Sequence, residues 1–465
     1  MSDSNRVRLA YVKESSFGVQ KTGANLQILR HTGESLKQTQ QTTISNEIRS
    51  DRQIAGIKRN NVGADGDINF EFSFGTFDDL LLAVLMHNST AVTVTAITIS
   101  ALAADNSFND SANGFGSIVP GQYIQVTGFT GDPANNGFFK VESATASKLI
   151  VSGGTLVNDT AGESVTIKQG DWSTVVTVNA ATIAAASEDN SFNDSGNGFG
   201  NLAVNQWIKV TGFTEAANNG YFKIASKTAG KIVVTGGTLV TEAAGDAVTI
   251  NQGAVVFNGI SKTSFNIERT YEDLPNEIAL FTGMMPEQLT LNVNVDQIIN
   301  GGLSFIGKQE TSLTSSGGTG YTPATTTEAV NAVENITSIF ENMNAMDASA
   351  LSITLKNNLR AKQKIGSLGA FEIGTGTVSI TGNLTAYYNN KALIDKYLNQ
   401  TVTSFAFVVV DAAGNAYVFD MPGVKFSSGQ RSGGALNSDV MAELAYTAFM
   451  GTSDKVSLRI VKFAA

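Results

Sequence analysis

The chain has 465 residues, a net charge of −10, no cysteine, and 15% charged against 42% hydrophobic residues. Without cysteine there is neither a disulfide nor a thiolate metal centre, and without a basic excess there is no nucleic-acid footprint. The longest apolar run, Leu80 to Met86, is far short of a membrane span, and the opening MSDSNRVRLAYV lacks the apolar segment of a secretion signal, so folding in the cytoplasm and no membrane partner are expected.

In chain order, the first distinctive stretch is 35–64, SLKQTQQTTISNEIRSDRQIAGIKRNNVGA, polar and with few apolar anchors. It carries Lys37, Arg49, Arg52, Lys58 and Arg59 against Glu47 and Asp51. It reads either as a solvated hairpin or as an arm ordered by a neighbouring subunit, because so few apolar groups cannot offset the entropy of ordering it alone. Next, DINFEFSF from Asp67 alternates at period two, and FDDLLLAVL continues as a short amphipathic helix.

The middle of the chain repeats itself. NSFNDS occurs at Asn106 and Asn190, GFG at Gly114 and Gly198, VTGFT at Val126 and Val210, GGTLV at Gly153 and Gly236. A period of about 84 residues is longer than a solenoid repeat, so residues 96–172 and 178–253 are expected to be two copies of a small all-β domain of four or five strands. This middle segment holds seven basic against thirteen acidic residues, a net of −6. After it, 254–312 reads as the returning part of an interrupted first domain (1–95 with 254–312). The Ser/Thr/Gly-rich stretch 313–327 reads as a linker, and 328–465 as a second domain. Val330, Val333, Ile336 and Phe340 have helical spacing, though a strand pair fits 328–343 as well.

A fainter repeat joins the two outer halves. NEIRSDRQIAGI from Asn46 is answered by NNLRAKQKIGSL from Asn357, the strand-plus-helix from Asp67 by that from Val378, and TSF at Thr263 by TSF at Thr403. A duplicated domain whose first copy received the repeat pair accounts for these matches, and exposed loops accept such insertions.

Little in the chain suggests catalysis. His31 and His87 stand in unrelated contexts, and the glycine-rich stretches at Ser315 and Ser428 lack the lysine of a phosphate loop. No catalytic residue and no cofactor are expected. Asp105, Asn106, Asn109 and Asp110, repeated as Asp189, Asn190, Asn193 and Asp194, are weak calcium candidates, since oxygen-rich turns bind calcium. Asp and Asn also build turns by bonding their own backbone. Phe108, Phe129 and Phe139, with Phe192, Phe213 and Phe222, read as core.

The stretches SNEIRSDRQIAGI and GDINFEFSFGTFDDLLLAVL, with LKNNLRAKQKIGSLG and GNLTAYYNNKALIDKYLNQTVTSFAFVVVDAAGNAYVFDMPGVKF, resemble the two halves of the major tail tube protein family of long non-contractile-tailed bacteriophages. The resemblance implies a mainly β fold: two tail-tube-like β-sandwich or barrel domains, each with a short helix, beside the two small inserted β domains. It implies a structural virion protein whose rings stack into a hollow tail tube. Its partners would be itself, other tail proteins, and double-stranded DNA passing through the lumen without specific binding. With two tube domains per chain, a trimeric ring with pseudo-sixfold symmetry is expected over a hexamer. Lys37, Arg49, Arg52, Lys58 and Arg59 are the inter-ring contact candidates, and the insert is expected outside the tube and dispensable for assembly. A surface-binding module that uses the repeats to contact host glycans is the alternative.

Overall fold

The computed structural model describes residues 3–434, 436–452 and 455–465. The fold is mainly β: among these residues lie 35 strands and only two α-helices, Asp78–Val84 and Ala392–Leu398. No helix among them is long and apolar enough to cross a membrane. The chain divides into two compact units. One comprises Met1–Val84, Lys262–Ala332 and Ser352–Thr381, the other Leu85–Ser261, Val333–Leu351 and Gly382–Ala465.

The first unit is organised by the 17-residue strand Ile278–Asn294. Its opening stretch is buried on both sides and pairs with Phe265–Tyr271, which in turn pairs with Val7–Lys13. Its closing stretch alternates buried Leu289, Leu291 and Val293 with half-buried Thr290, Asn292 and Asn294, and pairs with Asn300–Gly307. Two interruptions let one strand serve both sheets. Gly283 takes φ 69° where the register against Phe265–Tyr271 shifts, and a bulge absorbs Pro286, which has no N–H to give the ladder. Asn300–Gly307 then pairs with Ala64–Glu71.

Helix Asp78–Val84 buries Leu80, Leu81 and Leu82 and turns acidic residues to its first turn, where Asp79 meets Lys13 at 2.7 Å. The supposed linker is laid onto this unit. Gly320–Thr322 pairs in parallel with Asn25–Gln27, Ser316 donates to Glu268 at 2.7 Å, and the Arg8 guanidinium sits 3.8 Å from the Tyr321 ring centre.

In the second unit the two repeats form separate seven-stranded sheets with the same strand order. Seven strands replace the four or five expected, because short polar runs such as Val92–Ala96 and Ile99–Leu102 also pair. Each sheet wraps its own core: Phe108 meets Phe139 edge-on at 5.4 Å, and Phe192 meets Phe222 edge-on at 5.6 Å. Outside the repeats, Ile336–Glu341 pairs with Thr403–Val410, and the latter with the 17-residue strand Ala416–Ser432. That strand bulges near Phe426 and pairs onward with Met441–Ala448 and Arg459–Phe463. The strand-pair alternative therefore holds for 328–343. Asn342 and Met343, at φ 51° and 60°, turn Ile336–Glu341 back onto Asn344–Ala345, as a tight hairpin requires.

The repeats do not simply project. Ala254–Phe257, the strand leaving the second repeat, pairs with Arg459–Phe463. Both repeats also rest on the rest of this unit through equivalent positions. Tyr123 of the first stacks on Phe257 with ring centres 4.3 Å apart, and Phe138 meets the same ring edge-on at 5.5 Å. Trp207 and Tyr221 of the second meet Phe340 and Phe463, at 5.6 and 5.3 Å. These side chains share one buried cluster with Val408, Val418 and Val461. A dispensable insert does not fit this packing.

Candidate assembly surfaces

Two surfaces of the chain carry features that a self-contained fold does not need. The first is the arm. Lys37–Ile44 and Ile57–Asp65 form a two-stranded antiparallel hairpin that is exposed along Lys37–Ile44 and Ile57–Asn60, apart from a half-buried Thr39, whereas Val62 and Ala64 at its base are buried. Two strands without a covering layer are marginal in water. Ile48 is 99% exposed, and Ile44, Ile54 and Ile57 are more than half exposed or close to it. Of the sequence candidates, Lys37 lies 3.9 Å from Asp65, and Lys58 and Arg59 stand opposite Thr43 and Thr42. Arg52 takes φ 60° in the connecting loop. The Arg49 guanidinium meets Asp51 at 2.7 Å, and that hydrogen bond holds the Asp51 carboxyl below its usual range.

A second hairpin, Arg360–Lys362 with Glu372–Gly374, belongs to the same unit. Its loop exposes Ile365 fully and Leu368 and Phe371 in part. Lys262 and Lys362 flank Glu372 at 2.6 and 2.8 Å and, by hydrogen bonding, hold its carboxyl down to about 2. The backbone N–H of Asn357 donates to the Glu287 carbonyl at 2.9 Å, which ties this second arm to the same end of the sheet as the first. Ile365, Leu368 and Phe371 are not among the sequence candidates. Their signal was the match between Ile54 and Ile365 and between Ile57 and Leu368.

The second surface is a sheet face of amides and hydroxyls. In the first unit a shallow groove of about 400 Å³ is lined by Asn69, Gln288, Thr290, Asn292, Asn300 and Ser304, with Asp67 as its charge. In the second unit a groove of about 410 Å³ is lined by Asn383, Thr385, Ser428 and Gln430, with Glu443. Neither lining contains Lys or Arg. Such a face is hydrated and offers phosphate no counter-charge.

Inside the second unit, the seat of the repeats is built around Asp420. This carboxylate is fully buried and accepts hydrogen bonds from Arg459 Nε at 2.7 Å and Trp207 Nε1 at 3.0 Å, with Lys223 Nζ at 2.9 Å. Burial alone would raise its pKa, but Arg459 and Lys223 outweigh that and hold it at about 2.

The DNSFND turns hold themselves together. Asp105 pairs with Lys148 and accepts from Ser107, while Asn109 donates to Ser107. Asp110 accepts from Thr98 and from the backbone of Ala112 and Gly114. In the second repeat, Asp189, Asn193 and Asp194 make the same bonds with Lys231, Ser191, Thr182, Gly196 and Gly198. Asn106, left-handed at φ 51°, clasps the Val151 and Gly154 carbonyls and the Leu156 N–H, and Asn190 does likewise. These oxygens serve the turn, and among the described residues no three acidic, His or Cys groups are arranged to hold a metal. The two histidines are not brought together. His87 is buried against Phe257, which pushes its pKa down to about 4, whereas His31 contacts the Leu29 carbonyl in the other unit.

A family model of the phage tail tube protein matches residues 4–448. The chain belongs to that family. No curated protein matches it. This tail tube protein is therefore a structural component of a virion tail, of a family whose members assemble into a tube.

Proposed function

We propose that three copies of this tail tube protein close into a ring with pseudo-sixfold symmetry. The rings stack into the tube of a long non-contractile tail, made in the host cytoplasm, and DNA crosses the tube without being bound. One observation carries the proposal. In the first unit, the closing stretch of Ile278–Asn294 has a strand on each side: Asn300–Gly307, and Ala348–Lys356 from Ser352 onward. In the second unit, the closing stretch of the equivalent Ala416–Ser432 is flanked by Met441–Ala448 alone among the described residues. The segment Gly33–Ile44 likewise pairs with Ile57–Glu71 on one side only.

An open edge is an aggregation hazard in a monomer and a joint in a polymer. Pairing the open edge of one copy with Gly33–Ile44 of the next repeats, between chains, an arrangement already present within one. Heterologous contacts of this kind close into rings, and six tube domains need three chains. The cation-free sheet faces suit a lumen wall that lets a polyanion slide, and the acidic repeats suit the tube's exterior. The arms, with Lys37, Arg49, Arg52, Lys58 and Arg59, then join ring to ring. Electron microscopy of the purified protein tests this: tubes whose end-on class averages show three equivalent subunits are expected, and six identical projections per ring would overturn the trimer.

A further inference from the structure

The surface that receives the arms can be named from the opposite end of the same sheet. Asn300–Gly307 runs from its pairing with Glu71 to its pairing with Ala64, about 25 Å for eight residues, and the arm continues beyond Ala64. At the far end, the turn Val295–Ile298 is exposed. Val295 is 54% exposed, Ile298 is also exposed, and Asp296 stands between them at φ 61°. The turn is not a loose loop: Gln297 accepts the N–H of Ala332 through its carbonyl, and Ile299 donates to the Val330 carbonyl.

In the second unit the stretch Leu436–Val440 precedes the strand Met441–Ala448. It exposes Leu436, at 91%, and Val440, beside Asp439. The arms carry the complementary chemistry. The first presents Ile48 and Ile54 with Arg49 and Arg52, and the second presents Ile365 with Lys364. Apolar tips carrying Arg52 and Lys364, beside the paired Arg49 and Asp51, thus lie at one end of the first unit's sheet, and apolar tips beside carboxylates lie at the ends of the two matching hairpins.

We propose that the isoleucine-tipped arms of one ring seat on the Val295–Ile298 and Leu436–Val440 turns of the next ring, so that the occupant of both turns is a second copy of this chain. This rests on the reading that the arms join rings, and it adds where they land. Buried apolar contact between the tips gives the holding energy, and Asp296 and Asp439 facing the arm cations set register and encounter rate.

The absence of native cysteine makes the test free of background. Ile48→Cys is combined with Ile298→Cys, or with Val440→Cys, and assembled tubes are oxidised and run on a non-reducing gel. One of the two combinations should yield a ladder of disulfide-linked multimers, while each single variant stays monomeric. A bond within one chain cannot mimic the Ile298 result, because the two positions of the first unit lie at opposite ends of the sheet.

As a second arm of the test, Val295→Arg with Leu436→Arg should leave folded rings that no longer stack. Ile48→Asp with Ile54→Asp separates the two ideas. If this variant stops stacking but neither cysteine pair links and the turn arginines are harmless, the arms act elsewhere and the receiving surface is wrong. If it grows tubes like the parent, the reading of the arms themselves has failed.

Discussion

Asp420 shows what single residues contribute here. It is a carboxylate at the centre of an apolar strand, and its partners Arg459, Lys223 and Trp207 come from three other strands. Removing one partner of a buried pair strands the other, so Asp420→Ala should cost roughly 3–5 kcal/mol, seen as a lowered midpoint in urea unfolding. Because the folded carboxyl titrates at about 2, below its unfolded value near 3.9, its stabilisation is complete above about pH 4 and is lost as pH falls through 2. Acid unfolding followed by tryptophan fluorescence should show a shallower limb in Asp420→Asn than in the parent, the remainder coming from other depressed carboxyls such as Glu372. A measured curve flat between pH 4 and 2 in both proteins would contradict the assignment. The sequence held a faint signal for this cluster, a lone Asp in YVFDMP and a lone Arg in SLRIVKF. Nothing in one strand, however, says which charge faces it across 39 residues to Arg459 or some 200 residues to Lys223.

At the scale of elements, legibility followed locality. The period-two strand and amphipathic helix after Asp67 were readable because alternation and helical spacing are set within a dozen residues. The same local logic left 328–343 open, and a pair of left-handed residues, not hydrophobic spacing, decided it for strands. The stretch 313–327 looked like a linker because Ser, Thr and Gly say nothing about a parallel partner as remote as Asn25–Gln27.

The arm and the insert yield opposite expectations. Arg49→Glu with Arg52→Glu alters exposed side chains, so the unassembled subunit should change by less than about 0.5 kcal/mol. Sedimentation should nonetheless find rings in place of long tubes. Failure to fold would instead make these arginines internal struts. Replacing residues 92–256 with a Gly/Ser linker removes Trp207, Tyr221, Tyr123 and all of the strand Ala254–Phe257 but its last residue from the shared core. Large-to-small losses at buried aromatics cost about 3–5 kcal/mol each, so this deletion should give insoluble or protease-labile chains. Soluble tubes of normal diameter from it would show that the rest of the unit folds unaided.

For the whole molecule, the strand between the repeats and the second half matters for timing as well as for stability. Ala254–Phe257 waits for Arg459–Phe463, a pairing that closes a loop of roughly two hundred residues and ranks among the slowest kinds of contact to form. During synthesis Arg459–Phe463 leaves the ribosome after the other strands of its sheet, so the sheet of the second unit stays incomplete until that strand has emerged. The edge of Ala416–Ser432 needs its neighbours in place before it can template a second chain. A subunit wired this way carries its own delay against assembling while still nascent, because the sheet that would present that edge is complete only once Arg459–Phe463 has emerged.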